Sequence, residues 1–471
     1  MANVWKHRFR YVILLIGWLA LTSISSNSLV FNLAQVCMAP SSHKNETTTE
    51  THSTVIDYTP KEISLINGAL ALGITVFTIP CTMSFTRYGM RWPLFFAGML
   101  SALSTALMPL ATMYNLYAVL ICRVVQGIAY AANLPAIGRL CSQWSSLKQA
   151  GMFVSVLSKL IRSIPLNKFD YFSFLHGAFK ICESQFGWPM VYYAHAAVCI
   201  MIFAIWIVIY DDTPTNSSKV SPKELSKIQM NKTHTEIHGD KRSPPYRYLL
   251  TDLVVYVIWL CALAEFFITV FLTLYSPYYI RNVLHYSIEM TGYYSAISRI
   301  AQVPFRLIFG YASDKIKFLN DDLKLIVFNS IALGGAALSL IGLAFVPEQH
   351  PIVGVILLTT ISIVQGSVSA GFFKCAVLYG RQYSQFIIGN CQLIKCATLF
   401  LAPLSVAIFV SNSADQHQWR VIFLISGIGA FIINLLFCKL SQASPASYTA
   451  ENFFETHPEK QINKLEMSDL K

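Results

Sequence analysis

Long apolar stretches recur along the whole chain, separated by short polar segments. Each stretch is roughly 20 residues long or longer, the length that an α-helix needs to cross about 30 Å of hydrocarbon. We place them at Tyr11–Met38, Glu62–Ser84, Trp92–Met113, Asn115–Leu140, Met152–Ile181, Trp188–Tyr210, Thr251–Ile280, Thr291–Ala312, Leu325–Phe345, Ile352–Leu378, Phe386–Val410 and Val421–Lys439. The pattern therefore predicts an all-α membrane protein with about twelve transmembrane helices.

The start of the first stretch resembles a secretory signal peptide, because Lys6, Arg8 and Arg10 precede an apolar core. The apolar residues continue as far as Phe31, which is too long for the apolar region of a cleaved signal peptide. We therefore predict an uncleaved first span.

Composition excludes a soluble enzyme. Hydrophobic residues make up 54% of the chain, charged residues 13%, and the mean hydropathy is +0.50. Soluble domains carry about 25% charged residues. The 11 cysteines are scattered, largely inside the spans, and the sequence contains no Cys-x-x-Cys pair, phosphate-binding loop or catalytic triad signature. We therefore predict a protein that is not an enzyme and has no metal site and no bound cofactor.

A long polar segment near the midpoint divides the spans into two sets of six. We predict an N-terminal six-helix half at residues 1–210, a central loop at 211–250 and a C-terminal six-helix half at 251–440. Residues 441–471 form a polar tail whose composition predicts disorder. Two six-helix halves give the major facilitator fold, in which the substrate site lies between the halves near the bilayer midplane.

Basic residues indicate how the chain crosses the membrane. They lie in alternate connections, at Arg87, Arg91, Arg139, Lys148, Lys315, Lys317, Lys324 and Arg381, and in the central loop and both tails. The positive-inside rule then predicts that both termini and the central loop are cytoplasmic. Residues 40–60 lie on the opposite side, where Asn45 begins an Asn-Glu-Thr glycosylation acceptor. The net charge of +11 is explained by this topology, so we expect a lipid bilayer and no nucleic acid as partner. Either the plasma membrane or an intracellular vesicle or lysosome fits.

An arginine inside the fourth span is the strongest sign of function. Arg123 stays charged at physiological pH and is costly in hydrocarbon, so it belongs against the bundle interior or a wet cavity. Gln126, Tyr130 and Asn133 follow it at three- and four-residue spacing and so lie near the same helical face. The arrangement predicts a carrier whose small-molecule cargo is an anion, with Arg123 offering a bidentate partner to carboxylate, phosphate or sulfate.

One loop resembles a signature of the major facilitator superfamily. Gly310-Tyr-Ala-Ser-Asp314-Lys315 ends the eighth span and is similar to that superfamily's G-x-x-x-D-[RK] loop. The resemblance implies that the aspartate meets a helix N-terminus and basic partners and latches the two faces of a half together. We therefore predict a conformational latch at Gly310, Asp314 and Lys315. The equivalent loop after the second span, residues 85–91, has no aspartate.

Within that superfamily the chain resembles the anion–cation symporter family, which includes sodium–phosphate cotransporters, sialin and vesicular glutamate transporters. The resemblance runs over nearly the full length and is carried by residues 31–38, 123–127, 134–136, 186–193, 220–224, 276–279, 292–296 and 419–425. It implies secondary active transport of an organic or inorganic anion by alternating access, coupled to sodium or protons.

Three departures from the family pattern leave the cargo open. The family usually places an arginine where this chain has Val30, often a glutamate where it has Tyr130, and in vesicular members a base where it has Glu265. A carrier of the same fold that moves a neutral or cationic solute is therefore an alternative. A non-transporting membrane receptor or scaffold is a second alternative.

Other polar residues inside the spans complete the predicted site. We expect the cargo to contact Arg123 together with Asn32, Asn67, Tyr130, Arg299 and Lys374. Glu265 is the candidate for coupling, because burial favours the neutral form of a carboxyl group and lets it take up a proton. Alternatively, Glu265 pairs with Lys374 or Lys395 inside the C-terminal half. Arg306 is expected near Asp314, in a structural role.

One polar stretch interrupts the fifth span. Residues Lys159–Asp170 contain two lysines, an arginine, an aspartate and a proline, which would leave unsatisfied groups in lipid. We interpret the stretch as either an extra loop or an error in the translated gene.

Overall fold

The structure is a computed structural model. It describes residues 7–38, 58–163, 187–230, 232, 244–347, 349–410, 415–450 and 453. Within those ranges, the side chains at 32–33, 35–38, 60–61, 64, 158–163, 288–289 and 299 are not described. The predicted glycosylation acceptor Asn45 therefore lies outside the described residues. The same is true of the side chains of Asn32 and Arg299 and of most of the polar stretch 159–170.

The N-terminal half is a bundle of long helices. Its helices are α1 (Phe9–Met38), α2 (Pro60–Tyr88), α3 (Arg91–Tyr114), α4 (Leu116–Tyr130), α5 (Asn133–Trp144), α6 (Ala150–Ser163) and α7 (Pro189–Ile209). Local sequence signals start several of them. Thr59 and Glu62 form a capping box at the start of α2, and the Asn115 side chain caps α4 by accepting from the amide of Ala118 at 2.8 Å.

The central segment, residues 211–250, contributes the short helices α8 (Pro222–Gln229) and α9 (Tyr246–Leu249). The C-terminal half follows as α10 (Leu253–Asn282), α11 (Ile288–Lys315), α12 (Asp321–Asn329), α13 (Gly335–Ala344), α14 (Pro351–Val364), α15 (Phe372–Gly380), α16 (Ser384–Phe409) and α17 (Gln416–Leu440). A π-helical turn joins α12 to α13, and a 3₁₀ turn, Gln365–Ser369, follows α14.

Length and apolarity support the predicted spans. The described residues contain nine segments long and apolar enough to cross a membrane, and one of these, Pro351–Phe409, holds both the tenth and the eleventh span. The eighth and fifth spans are missing from that count for different reasons. The eighth span, α11, carries many polar residues, and the described part of the fifth span ends at Ser163. The predicted all-α fold of about twelve helices is confirmed.

The fourth and tenth spans are interrupted at corresponding places in the two halves. In the fourth span, α4 and α5 are separated at Ala131 and Ala132, just before Pro135, whose ring removes a helical donor. In the tenth span, the 3₁₀ turn and Gly371 separate α14 from α15. Interrupted helices at corresponding positions of two halves point to a transporter's binding site.

The central segment is folded against the N-terminal half. The Glu224 carboxylate, 1% exposed, accepts hydrogen bonds from the backbone amides of Phe9 at 2.9 Å and Arg10 at 3.0 Å. It therefore supplies negative charge at the N-terminus of α1. At the other end of α8, Lys232 donates to the carbonyls of Ser142 and Gln143 near the C-terminus of α5, at 2.7 and 3.1 Å. We call the end of the bundle that contains these contacts of Glu224 and Lys232 the central-segment end.

The beginning of the tail is packed, which corrects the predicted disorder for residues 441–450. Tyr448 is 4% exposed. The amide of Ala446 donates to the carbonyl of Tyr379 at 3.1 Å, and Gln382 donates to the carbonyl of Thr449 at 3.1 Å. Apolar side chains and backbone hydrogen bonds thus hold this stretch against α15. Beyond it, the structure describes only residue 453.

The two halves meet most closely at the central-segment end. Helix α6 packs on α11, and α2 and α5 pack on α16. Ser155 and Ser369 share a hydrogen bond of 2.6 Å between their hydroxyls. A Cβ atom added at Gly138 would lie 2.6 Å from the Cα atom of Gln385, so glycine lets α5 and α16 touch through their backbones. The described contacts close the bundle at this end.

Candidate substrate site between the two halves

Arg123 lies at the middle of helix α4 and is completely buried, with 0% of its surface exposed. One terminal nitrogen, Nη1, donates to the carbonyl of Ser28 at 2.8 Å and to Oε1 of Gln126 at 2.9 Å. The other, Nη2, donates to Oδ1 of Asn67 at 3.1 Å. The guanidinium also stacks over the Phe31 ring, 5.1 Å from its centroid. Neutral acceptors and an aromatic face therefore hold the positive charge in place.

The side chains around Arg123 are themselves positioned by the bundle. Gln126 is 1% exposed and donates to the hydroxyl of Thr105 at 3.0 Å, which fixes the amide that accepts from Arg123. Asn67, by contrast, is exposed. The structure thus brings the predicted residues Arg123 and Asn67 together, with Asn67 as the accessible member of the pair.

A lysine of the C-terminal half contacts the fourth span at the end of α4. Lys395 on α16 donates from Nζ to the Tyr130 hydroxyl at 2.9 Å, and its ammonium lies 5.0 Å from the centroid of the Tyr130 ring. Both side chains are half-buried. Ile74, Ala131 and Cys396 form a small apolar cluster beside this contact. A hydrogen bond inside the bundle therefore joins the two halves at the predicted residue Tyr130.

Glu265 and Arg306 form a second charged group, within the C-terminal half. Glu265 is 0% and Arg306 2% exposed, and the two side chains attract each other electrostatically. Thr269 donates to Oε1 of Glu265 at 3.2 Å. The group lies beside the interruption of the tenth span, where Gly366 packs on the backbone of Arg306 and Gln365 donates to the carbonyl of Glu265 at 3.5 Å.

Lys374 contacts Asp314, a residue of the predicted latch, and none of its described hydrogen bonds joins it to Arg123 or Asn67. Its ammonium forms an ion pair with Asp314 at 2.8 Å and donates to the hydroxyl of Ser313 at 2.9 Å. The predicted pairing of Glu265 with Lys374 or Lys395 is therefore wrong, because each lysine has another partner. Sequence spacing cannot reveal these partners, since they lie on helices far apart in the chain.

Asp314 joins the two halves directly. Its carboxylate accepts from the amides of Gly151 at 3.3 Å and Met152 at 2.8 Å. Both amides belong to the first turn of α6, in the other half, where helical amides lack a carbonyl partner within the helix. The contact thus runs between halves, whereas we expected it within one half. The basic partner of Asp314 is Lys374. The predicted partner Lys315 is exposed, and its ammonium lies over the Tyr311 ring.

The corresponding loop of the N-terminal half has an aspartate from elsewhere in the chain. Asp212, just after α7, accepts from the amides of Met90 at 2.6 Å and Arg91 at 3.0 Å, at the start of α3. The neighbouring Asp211 forms an ion pair with Arg91 at 3.3 Å. These contacts join the first residues of the central segment to the N-terminal half. They explain how the N-terminus of α3 is capped although the loop before it has no aspartate.

Sequence reasoning missed the partnership of Lys395 and Tyr130. Lys395 was visible as a base inside an apolar span, and Tyr130 stood where the related family often has a glutamate. Their contact depends on how α16 packs beside α2 and α5, which the spacing of residues within one helix does not fix.

Two six-helix halves, paired helix interruptions and charged groups inside the spans define a multi-pass membrane transporter. The family model described as "Major Facilitator Superfamily" matches residues 11–162 and 178–403. The chain belongs to that superfamily, and it is a transporter of a small-molecule solute and not an enzyme.

Relatives and solved structures agree with this assignment. The chain is 21% identical over 405 residues to sodium-dependent phosphate transport protein 3 of Mus musculus, covering 85% of this chain and 82% of the relative. It is 23% identical over 373 residues to sialin of Ovis aries, covering 77% and 71%. The fold matches that of the proton:xylose symporter XylE with a TM-score of 0.67 at 14% identity, over 94% of this chain and 99% of that one. These relatives confirm the predicted resemblance to the anion–cation symporter family, at 21% and 23% identity.

The family match is interrupted inside the fifth span. The two matched segments leave out residues 163–177, which overlap the polar stretch that begins at Lys159. An extra segment relative to the superfamily is consistent with this gap.

Proposed function

We propose that this chain is a secondary active transporter that moves a small organic or inorganic anion by alternating access. The observation that carries the proposal is a charge imbalance inside the spans. Lys374 is neutralised by Asp314, and Arg306 is attracted to Glu265. In the part of the chain that the structure describes, Arg123 and Lys395 have only neutral hydrogen-bond partners.

An anionic cargo would complete this charge balance. Charged groups inside a membrane are costly unless they are paired. Each of these two cations lies in a different half, so an anion between the halves would lower the cost of both. The relatives that are named as phosphate transport proteins support an anionic cargo for the same kind of site.

Coupling would use a cation, sodium or a proton. Glu265 is our candidate for the proton-binding group, because it is a carboxylate in the bundle interior beside the interruption of the tenth span. Protonation would release Arg306 from its attraction and so change the charge balance of the C-terminal half.

Orientation follows from the basic residues. We infer that the central-segment end is cytoplasmic, together with both termini, and that Asn45 lies on the luminal or extracellular side and is glycosylated. In this orientation the latch at Asp314 closes the cytoplasmic end. Rocking of the halves would then open that end after cargo has bound from the other.

Uptake into proteoliposomes tests the proposal. Labelled phosphate and labelled mono- and dicarboxylates are offered to the wild-type protein under imposed sodium or proton gradients. Arg123→Ala should abolish gradient-driven uptake, whereas Arg281→Ala should not, because Arg281 lies exposed at the end of α10. Uptake of neutral or cationic solutes alone would favour the alternative carrier. A folded protein that moves no solute would favour a receptor or scaffold.

A further inference from the structure

We propose that Lys395 and Tyr130 form the direct contact site for the anionic group of the cargo, while Arg123 acts behind them as a fixed charge. This inference rests on the proposed function and deepens it. It assigns the contact to a residue of the C-terminal half that the family resemblance did not single out.

Arg123 is a poor direct ligand in this conformation, since it is 0% exposed. Both hydrogens of Nη1 are used, one by the carbonyl of Ser28 and one by Gln126, and Nη2 donates to Asn67. The two remaining donors, on Nε and Nη2, are buried with the rest of the side chain, so the surrounding residues would have to move before a cargo group could form the bidentate contact that an arginine offers. The guanidinium instead contributes its charge at a distance.

Lys395 has the opposite properties. Its side chain is half-buried, whereas that of Arg123 is completely buried. An ammonium group has three donors, and the contact with Tyr130 uses one of them. Within the described residues, the ion pairs are those of Arg91, Lys324 and Lys374, and no carboxylate lies within ion-pair distance of Lys395. An anion can therefore bind the ammonium without breaking an existing ion pair.

The position of Tyr130 places the anion at the moving parts of the bundle. Tyr130 is the last residue of α4, next to the interruption of the fourth span, and Lys395 belongs to the other half. An oxyanion beside both groups would accept from the ammonium and lie near the phenol. Cargo would thus bridge the two halves at the point where Lys395 and Tyr130 are in contact without it.

Spacing along the fourth span separates this site from Arg123. Tyr130 follows Arg123 by seven residues, which places the two side chains on one face about 10 Å apart along the helix axis. An anionic group held by Lys395 and Tyr130 would thus lie about two helical turns from the backbone of Arg123.

The experiment compares the KM and Vmax of wild-type uptake with those of Lys395→Met, Lys395→Arg, Tyr130→Phe and Arg123→Lys. The probes are labelled inorganic phosphate and whichever carboxylate of the panel the wild-type protein transports. Lys395→Met should raise KM about 10- to 100-fold, as expected when a charge-assisted hydrogen bond is lost, and Lys395→Arg should restore most of the affinity. Tyr130→Phe should raise KM about fivefold. Size-exclusion profiles of the purified variants show whether each one folds.

Two control variants separate a local effect from a general one. Tyr117→Phe removes a hydroxyl from the same helix, α4, at a position that is 75% exposed. Lys439→Met removes a lysine from the end of α17. Both should leave KM unchanged.

The outcomes distinguish this inference from the proposed function. If the wild-type protein takes up anions and Lys395→Met keeps the wild-type KM, the contact site is not at Lys395 and this inference is overturned while the proposed function stands. If a folded wild-type protein takes up none of the anions, the proposed function itself fails. A KM that rises with Lys395→Met and recovers with Lys395→Arg supports both.

Discussion

Removing the charge of Asp314 should open the central-segment end of the bundle. The Asp314–Lys374 ion pair is 2.8 Å long, and the two side chains are 7% and 4% exposed. Asp314→Asn keeps the shape of the side chain and an oxygen that can accept from the amides of Gly151 and Met152. The substitution therefore isolates the charge, leaving Lys374 buried and uncompensated.

The magnitude follows from the burial of the pair. Breaking a buried ion pair by removing one partner costs about 3–5 kcal/mol, because the other charge stays desolvated. The cost applies only while this end is closed, since opening gives Lys374 access to water. At about 1.4 kcal/mol for each factor of ten, the equilibrium between closed and open forms should shift at least a hundredfold towards the open form.

A buried cysteine at the same end reports the shift. Cys141 on α5 is 1% exposed in the closed form and lies close enough to Asp314 to sense its charge. In a background where Cys141 is the only cysteine, a membrane-impermeant thiol reagent should label Asp314→Asn much faster than the parent. Asp314→Asn combined with Lys374→Met removes both charges and should return the labelling rate most of the way to that of the parent.

Equal labelling rates in the parent and in Asp314→Asn would refute this reasoning. Faster labelling of the Asp314→Asn, Lys374→Met double variant than of Asp314→Asn alone would also refute it. Lys374 would then stabilise the closed form through partners other than Asp314.

Further predictions concern stability and the gene itself. Glu224→Ala should lower the free energy of unfolding by about 1–3 kcal/mol, because a buried carboxylate that caps α1 is lost. Thermal denaturation in detergent measures the change, and Lys223→Ala, at an exposed position, serves as a control without effect. Gly127→Ala should destabilise the protein by roughly 1–3 kcal/mol or prevent folding, since the new Cβ would lie 2.2 Å from a carbonyl oxygen of α2, whereas Gly68→Ala meets nothing within 4 Å and should be tolerated. Sequencing of the transcript should return residues Lys159–Asp170 if the stretch is an extra loop, and a transcript without them would show a gene error.

The architecture could be predicted from the sequence because a membrane imposes strong rules. Backbone groups in hydrocarbon must be paired within the segment, so each long apolar run becomes a helix. Even the polar eighth span, α11, was predicted, because its apolar residues still run for the required length. The interruptions of the fourth and tenth spans were not predicted. Pro135 lies just after the first of them, whereas the 3₁₀ turn after α14 contains no proline.

The partners of the charged residues could not be predicted in the same way. Lys374 contacts Asp314 and Lys395 contacts Tyr130, and in each case the two residues lie on helices that are distant in sequence. Those contacts depend on how each helix is rotated about its axis, which a few close approaches such as Gly138 against Gln385 decide. The packed start of the tail was missed for a related reason. Tyr448 is a single aromatic residue in a polar stretch, and its burial depends on a surface that only the folded C-terminal half provides.

Secondary transport of anions by this chain can be measured as uptake of labelled phosphate and labelled carboxylates into proteoliposomes that contain the wild-type protein. We expect accumulation that depends on an imposed sodium or proton gradient and collapses when the gradient is dissipated. Gradient-independent equilibration or uptake of neutral and cationic solutes only, by protein shown to be folded and correctly inserted, would contradict it.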